Sequence, residues 1–180
     1  DTDAQERERG ITIFSRQALF QAGDKKFTLL DTPGHVDFSA EMERTLSVLD
    51  YAVLVISAAE GIRSHVYTLW RLLRAGHIPT FVFINKCDLE NPGIPALVAE
   101  MNRELSSGFV FCSDLYGEET ALLEDSLTEK FLNGESLQKA DVIRLIREER
   151  LFPVYSGSAL KRDGVGSLVN ALGEFTEEKE

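Results

Sequence analysis

The chain has 180 residues, 43% hydrophobic and 27% charged, which describes one globular domain with a sizeable core and excludes a disordered chain. Its formal net charge of −11 excludes nucleic-acid binding through a broad basic surface, while leaving room for a localised RNA contact. Two cysteines without C-x-x-C spacing, Cys87 and Cys112, and no apolar run near the ~18 residues of a membrane span point to a reduced, cytoplasmic protein.

Residues 1–9 are charged, lack an apolar face and read as a solvated loop that ends at Gly10. The chain opens on Asp1 without an initiator Met, so it reads as a piece of something longer. Ile11 to Phe20 and Lys26 to Asp31 read as two strands around a turn at Gln21–Asp24, an antiparallel hairpin. Phe38, Met42, Leu46 and Leu49 recur at helical spacing. Tyr51 to Ala58 is a nearly continuous apolar run, predicted as a parallel strand buried on both faces. Val66 to Ala75 is helical and expected to be capped by Gly76. Thr80 to Asn85 is a second buried strand, and 92–106 a helix. Phe109 to Cys112 reads as a short strand. Glu118 to Arg150 is helical and charged, broken at Asn133-Gly134, with Ser136 expected to cap the second part. Leu151 to Tyr155 is a strand, and Val165 to Phe175 the last helix. Strands alternating with helices predict an α/β fold with a mostly parallel sheet, helices on both faces and one antiparallel hairpin.

Four stretches carry chemistry, all at strand ends or in the loop before them. Asp31 closes a strand, where a carboxylate can reach hydrated Mg²⁺ on nucleotide phosphates. Gly34 lets its backbone N–H approach a terminal phosphate, and His35 stands where a side chain can orient an attacking water. Thr12, in Arg9-Gly10-Ile11-Thr12, can complete Mg²⁺ coordination and touch a γ-phosphate. In Asn85-Lys86-Cys87-Asp88, the Asp88 carboxylate can accept two donors of guanine, N1–H and the N2 amine. Asn85 can support N7 and tie loops together, and the Lys86 stem can lie on the base. In Gly157-Ser158-Ala159, the Ala159 N–H can donate to guanine O6 while Ser158 holds the loop. Each stretch alone also describes an ordinary turn, N-cap or strand residue. Their combination and order do not.

Together, R-G-I-T-I at 9–13, D-T-P-G-H at 31–35, N-K-C-D at 85–88 and G-S-A at 157–159 resemble the GTP-binding domain of translation factor GTPases. Within that class the chain is similar to the elongation factor G-like ribosomal protection proteins that confer tetracycline resistance. Leu46–Asp50, Ile84–Lys86, Leu151–Tyr155 and the two-helix stretch from Asp125 to Arg150 carry that likeness. The short separation of Asp88 from Gly157 does too, since elongation factor G has a much larger insertion there. The resemblance implies a P-loop NTPase-like three-layer sandwich that hydrolyses GTP to GDP and phosphate, with Mg²⁺ as cofactor. It implies His35 as the catalytic residue, Thr12 and Asp31 as Mg²⁺ ligands, and Thr12, Asp31, Gly34, Asn85, Lys86, Asp88, Ser158 and Ala159 as nucleotide-binding residues. It implies the ribosome as partner, with an RNA contact near His35, no membrane, and further domains in the same protein. Residues 1–176 would then be a partial G domain with a helical insertion at about 107–150, and 177–180 an acidic exit toward the next domain. One departure is large: no G-x-x-x-x-G-K-[ST] occurs, so the first strand and phosphate loop of the class are absent from this sequence. That absence keeps a second reading open, a scaffold that does not bind nucleotide. An elongation factor G or release factor 3-like role is a third. A dinucleotide-binding oxidoreductase lacks its G-x-G-x-x-G.

Overall fold

The chain from Arg16 to Asp31 pairs with itself around Gly23 and Asp24. Strand β1 (Arg16–Ala22) and strand β2 (Lys25–Asp31) are antiparallel, with Ala22 opposite Lys25 and Arg16 opposite Asp31. Gly23 takes the left-handed conformation, φ 60°, that so tight a turn requires. Phe20 and Phe27, directly opposite, stack with ring centroids 4.9 Å apart. This is a computed structural model, and it describes residues 16–32 and 44–178. The expected strand residues 11–15 and the first half of the expected helix at 38–49 lie outside that range; residues 44–46 are helical.

The remaining strands form one parallel sheet. β3 (Ala52–Ser57), β4 (Thr80–Asn85), β5 (Phe109–Phe111) and β6 (Phe152–Ser156) lie in the order β3-β4-β6-β5. Helices α1 (Ser64–Ala75) and α2 (Ile94–Glu104) follow β3 and β4. Helices α3 (Glu118–Ala121), α4 (Asp125–Leu132) and α5 (Lys139–Arg147) lie between β5 and β6, and α6 (Val165–Phe175) follows β6.

β4 shows why there are three layers. Thr80 to Ile84 are all buried, and alternate residues serve opposite cores. Val82 and Ile84 pack with Val66 and Trp70 of α1 and Leu97 and Met101 of α2. Phe81 and Phe83 pack with Val142 and Leu145 of α5 and Leu168 and Leu172 of α6. Trp70, Phe109 and Phe152 form a ring cluster with centroids 4.8 to 5.1 Å apart. Each such buried side chain contributes roughly 1.5–3 kcal/mol.

Two expectations are corrected by the structure, and a third holds with a different backbone geometry. β3 is not buried on both faces: Val55 is 53% exposed, because β3 is the edge of its sheet among the described residues. Gly76 caps α1 as expected, its N–H on the Leu72 carbonyl, but in a right-handed conformation, φ −83°, while His77 takes the left-handed position at φ 51°. What Gly76 provides is room, since a Cβ there would stand 3.2 Å from Ile78. Ser136 does not cap α5. The helix starts later, at Gln138, whose N–H donates to the Asp141 carboxylate at 2.9 Å.

The hairpin is a separate two-stranded sheet held by α6. Lys25 Nζ donates to the Thr176 carbonyl, and Gly173 of α6 passes so close to Ala22 that a Cβ would stand 2.8 Å from its carbonyl oxygen. Between β2 and β3 lies a cavity of about 720 Å³, walled by Leu29, Leu46, Leu49, Tyr51, Val53 and Leu172. Among the described residues, neither β2 nor β3 has a second strand partner.

Candidate functional site

The parallel strands end together, so their loops gather at one rim of the sheet. β4 leaves through Asn85 and Lys86, where Lys86 adopts φ 61°, uncommon for a side-chain-bearing residue. β6 leaves through Ser156 and Gly157. The two exits are stitched by backbone bonds. Gly157 N–H donates to the Ile84 carbonyl at 2.9 Å, and Cys87 N–H donates to the Gly157 carbonyl at 3.0 Å. From the other side, Ala58 N–H donates to the Asn85 carbonyl at 2.7 Å.

Side chains complete the stitching. The Ala159 N–H donates to Asn85 Oδ1 at 2.9 Å, so Asn85 ties the two loops together as its position predicts. A bond from that N–H to an incoming base therefore has to be shared with Asn85. Ser158 is buried, 3% exposed. Its hydroxyl is the main influence that lowers the Asp88 carboxyl below its ordinary value, with smaller contributions from the Asp88 N–H and from Lys161. Lys161 Nζ stands 3.4 Å from Asp88 Oδ2. Lys86 Nζ reaches Glu60 Oε1 of the loop after β3 at 3.3 Å. Cys87 points inward, its thiol donating to the Ile84 carbonyl at 3.2 Å, and burial pushes its pKa up. Both cysteines are free thiols.

The loop after β6 is compact for a steric reason. Ser158 and Asp163 exchange backbone bonds at 3.1 and 3.0 Å, closing a tight turn over Ala159 to Arg162. A Cβ on Gly157 would stand 2.2 Å from the Asp163 carbonyl oxygen, and one on Gly164 2.1 Å from that of Ser156. Only glycine fits either place. The turn leaves Leu160 92% exposed beside the site.

Asn85, Lys86, Asp88, Ser158 and Ala159 thus come together. Asp31 stands elsewhere, exposed at the end of β2. Thr12, Gly34 and His35 lie outside the described residues. An exposed carboxylate at a strand end suits a hard cation such as Mg²⁺. Among the described residues no three His, Cys, Asp or Glu side chains gather into a cage. Sequence reasoning missed Glu60, Lys161 and Asn91. Asn91 orders the loop beyond Asp88 by donating to the Leu89 carbonyl at 2.7 Å and accepting from Gly93 N–H at 2.9 Å. Asn91-Pro92-Gly93 is a turn signal, whereas nothing local marks Glu60 or Lys161. No described helix is long and apolar enough to cross a membrane.

The chain is 37% identical to the tetracycline resistance protein TetO of Streptococcus mutans, over 96% of this chain and 30% of that protein. It is 36% identical to TetW of Butyrivibrio fibrisolvens and to TetM of Ureaplasma urealyticum, with the same coverage. The chain therefore spans about 30% of the length of these relatives. A crystal structure of a Thermus thermophilus protein shares the fold, with a TM-score of 0.82 at 19% identity over 99% of this chain and 34% of that one. The model of the elongation factor Tu GTP-binding domain matches residues 1–178, and the chain belongs to that family.

Proposed function

We propose that this chain is the guanine-reading part of a ribosome-associated GTPase of the elongation factor G-like, tetracycline-resistance type, cytoplasmic in location and hydrolysing GTP to GDP and phosphate. One observation supports the reading: the loops holding Asn85 and Asp88 and holding Ser158 and Ala159 are bonded to each other at the shared rim of β4 and β6, with Asn85 Oδ1 on the Ala159 N–H and Lys161 beside the Asp88 carboxylate. An ionised carboxylate accepts the N1–H and N2 amine of guanine, a pair of donors that adenine does not present. The Asn85 amide nitrogen remains available for N7. The Lys86 stem and exposed Leu160 supply apolar surface for the two faces of a base.

The remaining roles complete the reaction. Asp31 and Thr12 would hold Mg²⁺, which supplies charge neutralisation on the phosphates when bound. The Gly34 N–H faces the terminal phosphate, and His35 orients the attacking water. An RNA contact of the ribosome settles His35, and other domains of the same protein engage the ribosome elsewhere. In this reading residues 1–176 form the partial G domain, with its helical insertion at about 107–150, and 177–180 lead to the next domain.

The test is base choice. In the full-length protein carrying this domain, Asp88→Asn exchanges guanine for xanthine preference, because the amide donates to the xanthine O2 but opposes the guanine N2 amine. Competition of GTP and XTP against labelled GTP reads the exchange. Equal competition by both nucleotides, in wild type and variant alike, removes the guanine assignment.

A further inference from the structure

Lys161 Nζ stands 3.4 Å from Asp88 Oδ2, in the same loop as the buried Ser158. The Lys161 side chain is 63% exposed while that of Asp88 is only 20% exposed, so the ion pair lies at the solvent edge of the site. The tight turn places it there. Lys161 N–H donates to the Ser158 carbonyl and Arg162 N–H to the Ala159 carbonyl, both at 3.1 Å, and Arg162 takes φ 57° to close the turn at Asp163.

We infer that Lys161 is a positioning residue that fixes the plane of the Asp88 carboxylate for two-point recognition of the guanine edge. Its separation from Oδ2, 3.4 Å, is longer than a charge-assisted hydrogen bond. The ammonium therefore holds the carboxylate as a counter-charge and leaves lone pairs for the base. The Lys161 ammonium beside Oδ2 restrains rotation of the carboxylate about its terminal torsion. A base that uses both carboxylate contacts depends on that restraint more than a base that uses one. Guanine uses both. Hypoxanthine, which lacks the N2 amine, uses only N1–H. Lys161 thus acts on discrimination at the N2 position, beyond simple affinity.

This inference rests on the guanine reading of the site, and the experiment separates the two. Lys161→Met, which keeps the aliphatic stem, and Asp88→Asn are made in the full-length protein, and equilibrium affinities for GDP and IDP are measured at low and high NaCl. Lys161→Met weakens GDP by about threefold to tenfold and IDP by less than about twofold, the scale of one exposed ion pair. The wild-type GDP/IDP ratio falls toward that of Lys161→Met as salt screens the pair, whereas the ratio in the variant is insensitive to salt. An unchanged GDP/IDP ratio in Lys161→Met, or tighter GDP binding, overturns the inference. If Asp88→Asn meanwhile weakens GDP by about 10²-fold, the guanine site stands and only the role of Lys161 falls. If Asp88→Asn also leaves GDP affinity unchanged, both fall.

Discussion

A methyl group at Gly157 has no space to occupy, because the Asp163 carbonyl oxygen would lie 2.2 Å from it. The backbone of this loop is also what joins β6 to β4, through Ile84 and Cys87. Gly157→Ala is therefore expected to cost roughly 1–3 kcal/mol of stability, as overpacking against rigid backbone does, and to weaken guanine nucleotide binding with it. Thermal denaturation and a GDP titration of the same variant check both. His35 makes the opposite kind of prediction, from its place after Gly34 in the sequence. In the full-length protein, His35→Ala should leave GTP affinity nearly unchanged and lower ribosome-stimulated turnover by about 10²-fold or more. Turnover equal to wild type at saturating ribosomes would remove His35 from the mechanism.

Elements are fastened to one another at a few points. The loop before α4 is tied to α5 by Glu124, which accepts from Arg144 at 2.9 and 3.0 Å and from Arg150 at 2.6 Å. The Arg144 bonds are the largest cause of a Glu124 pKa lowered from 4.5 to about 2. A carboxylate whose pKa falls on folding stabilises the folded state above its unfolded pKa and loses that contribution as pH falls. The cluster is partly exposed, with the Glu124 side chain at 21%, so solvent screening limits its contribution to about 1 kcal/mol. Glu124→Gln should thus lower the melting temperature at pH 7, and the gap to wild type should close between pH 4.5 and pH 2. A gap that persists unchanged to pH 2 would assign the effect to packing instead. The hairpin depends on α6 in a similar way, through the close passage of Gly173 to Ala22. Alanine at position 173 gains about 1 kcal/mol of helix propensity but drives a Cβ toward a backbone oxygen.

The whole molecule presents two sheets around a cavity of about 720 Å³, with β2 and β3 lining it and no strand between them among the described residues. The sequence also lacks a phosphate-loop motif. A nucleotide triphosphate brings about four negative charges toward Asp31 on a chain of net charge −11, and Lys86 and Lys161 of the two rim loops are already paired with Glu60 and Asp88. The 180 residues alone are therefore expected to bind GTP poorly and not to hydrolyse it. A version extended upstream by the strand and phosphate loop of a relative should bind it. Titration of a fluorescent GTP analogue with millimolar Mg²⁺ compares the two, and micromolar binding by the 180 residues alone would contradict the expectation. Among the described residues the edges of β2 and β3 beside this apolar cavity are unpaired, which predicts low stability or association between copies, measured by sedimentation.

By itself the sequence determined the order and type of the elements. Periodicity and turn residues are local properties, so β4 at Thr80–Asn85 and α6 at Val165–Phe175 could be read directly. That the Asn85–Asp88 and Gly157–Ala159 loops share one rim was legible too, because each follows an apolar strand, and parallel strands end on one side of a sheet. Tertiary structure alone decided which residues meet. The exposed edge at Val55, the left-handed turn at His77 and the contacts of Glu60 and Lys161 follow from neighbours distant in the chain. No pattern along the sequence records such neighbours. Charge and sterics act through space, and only the folded backbone sets those distances.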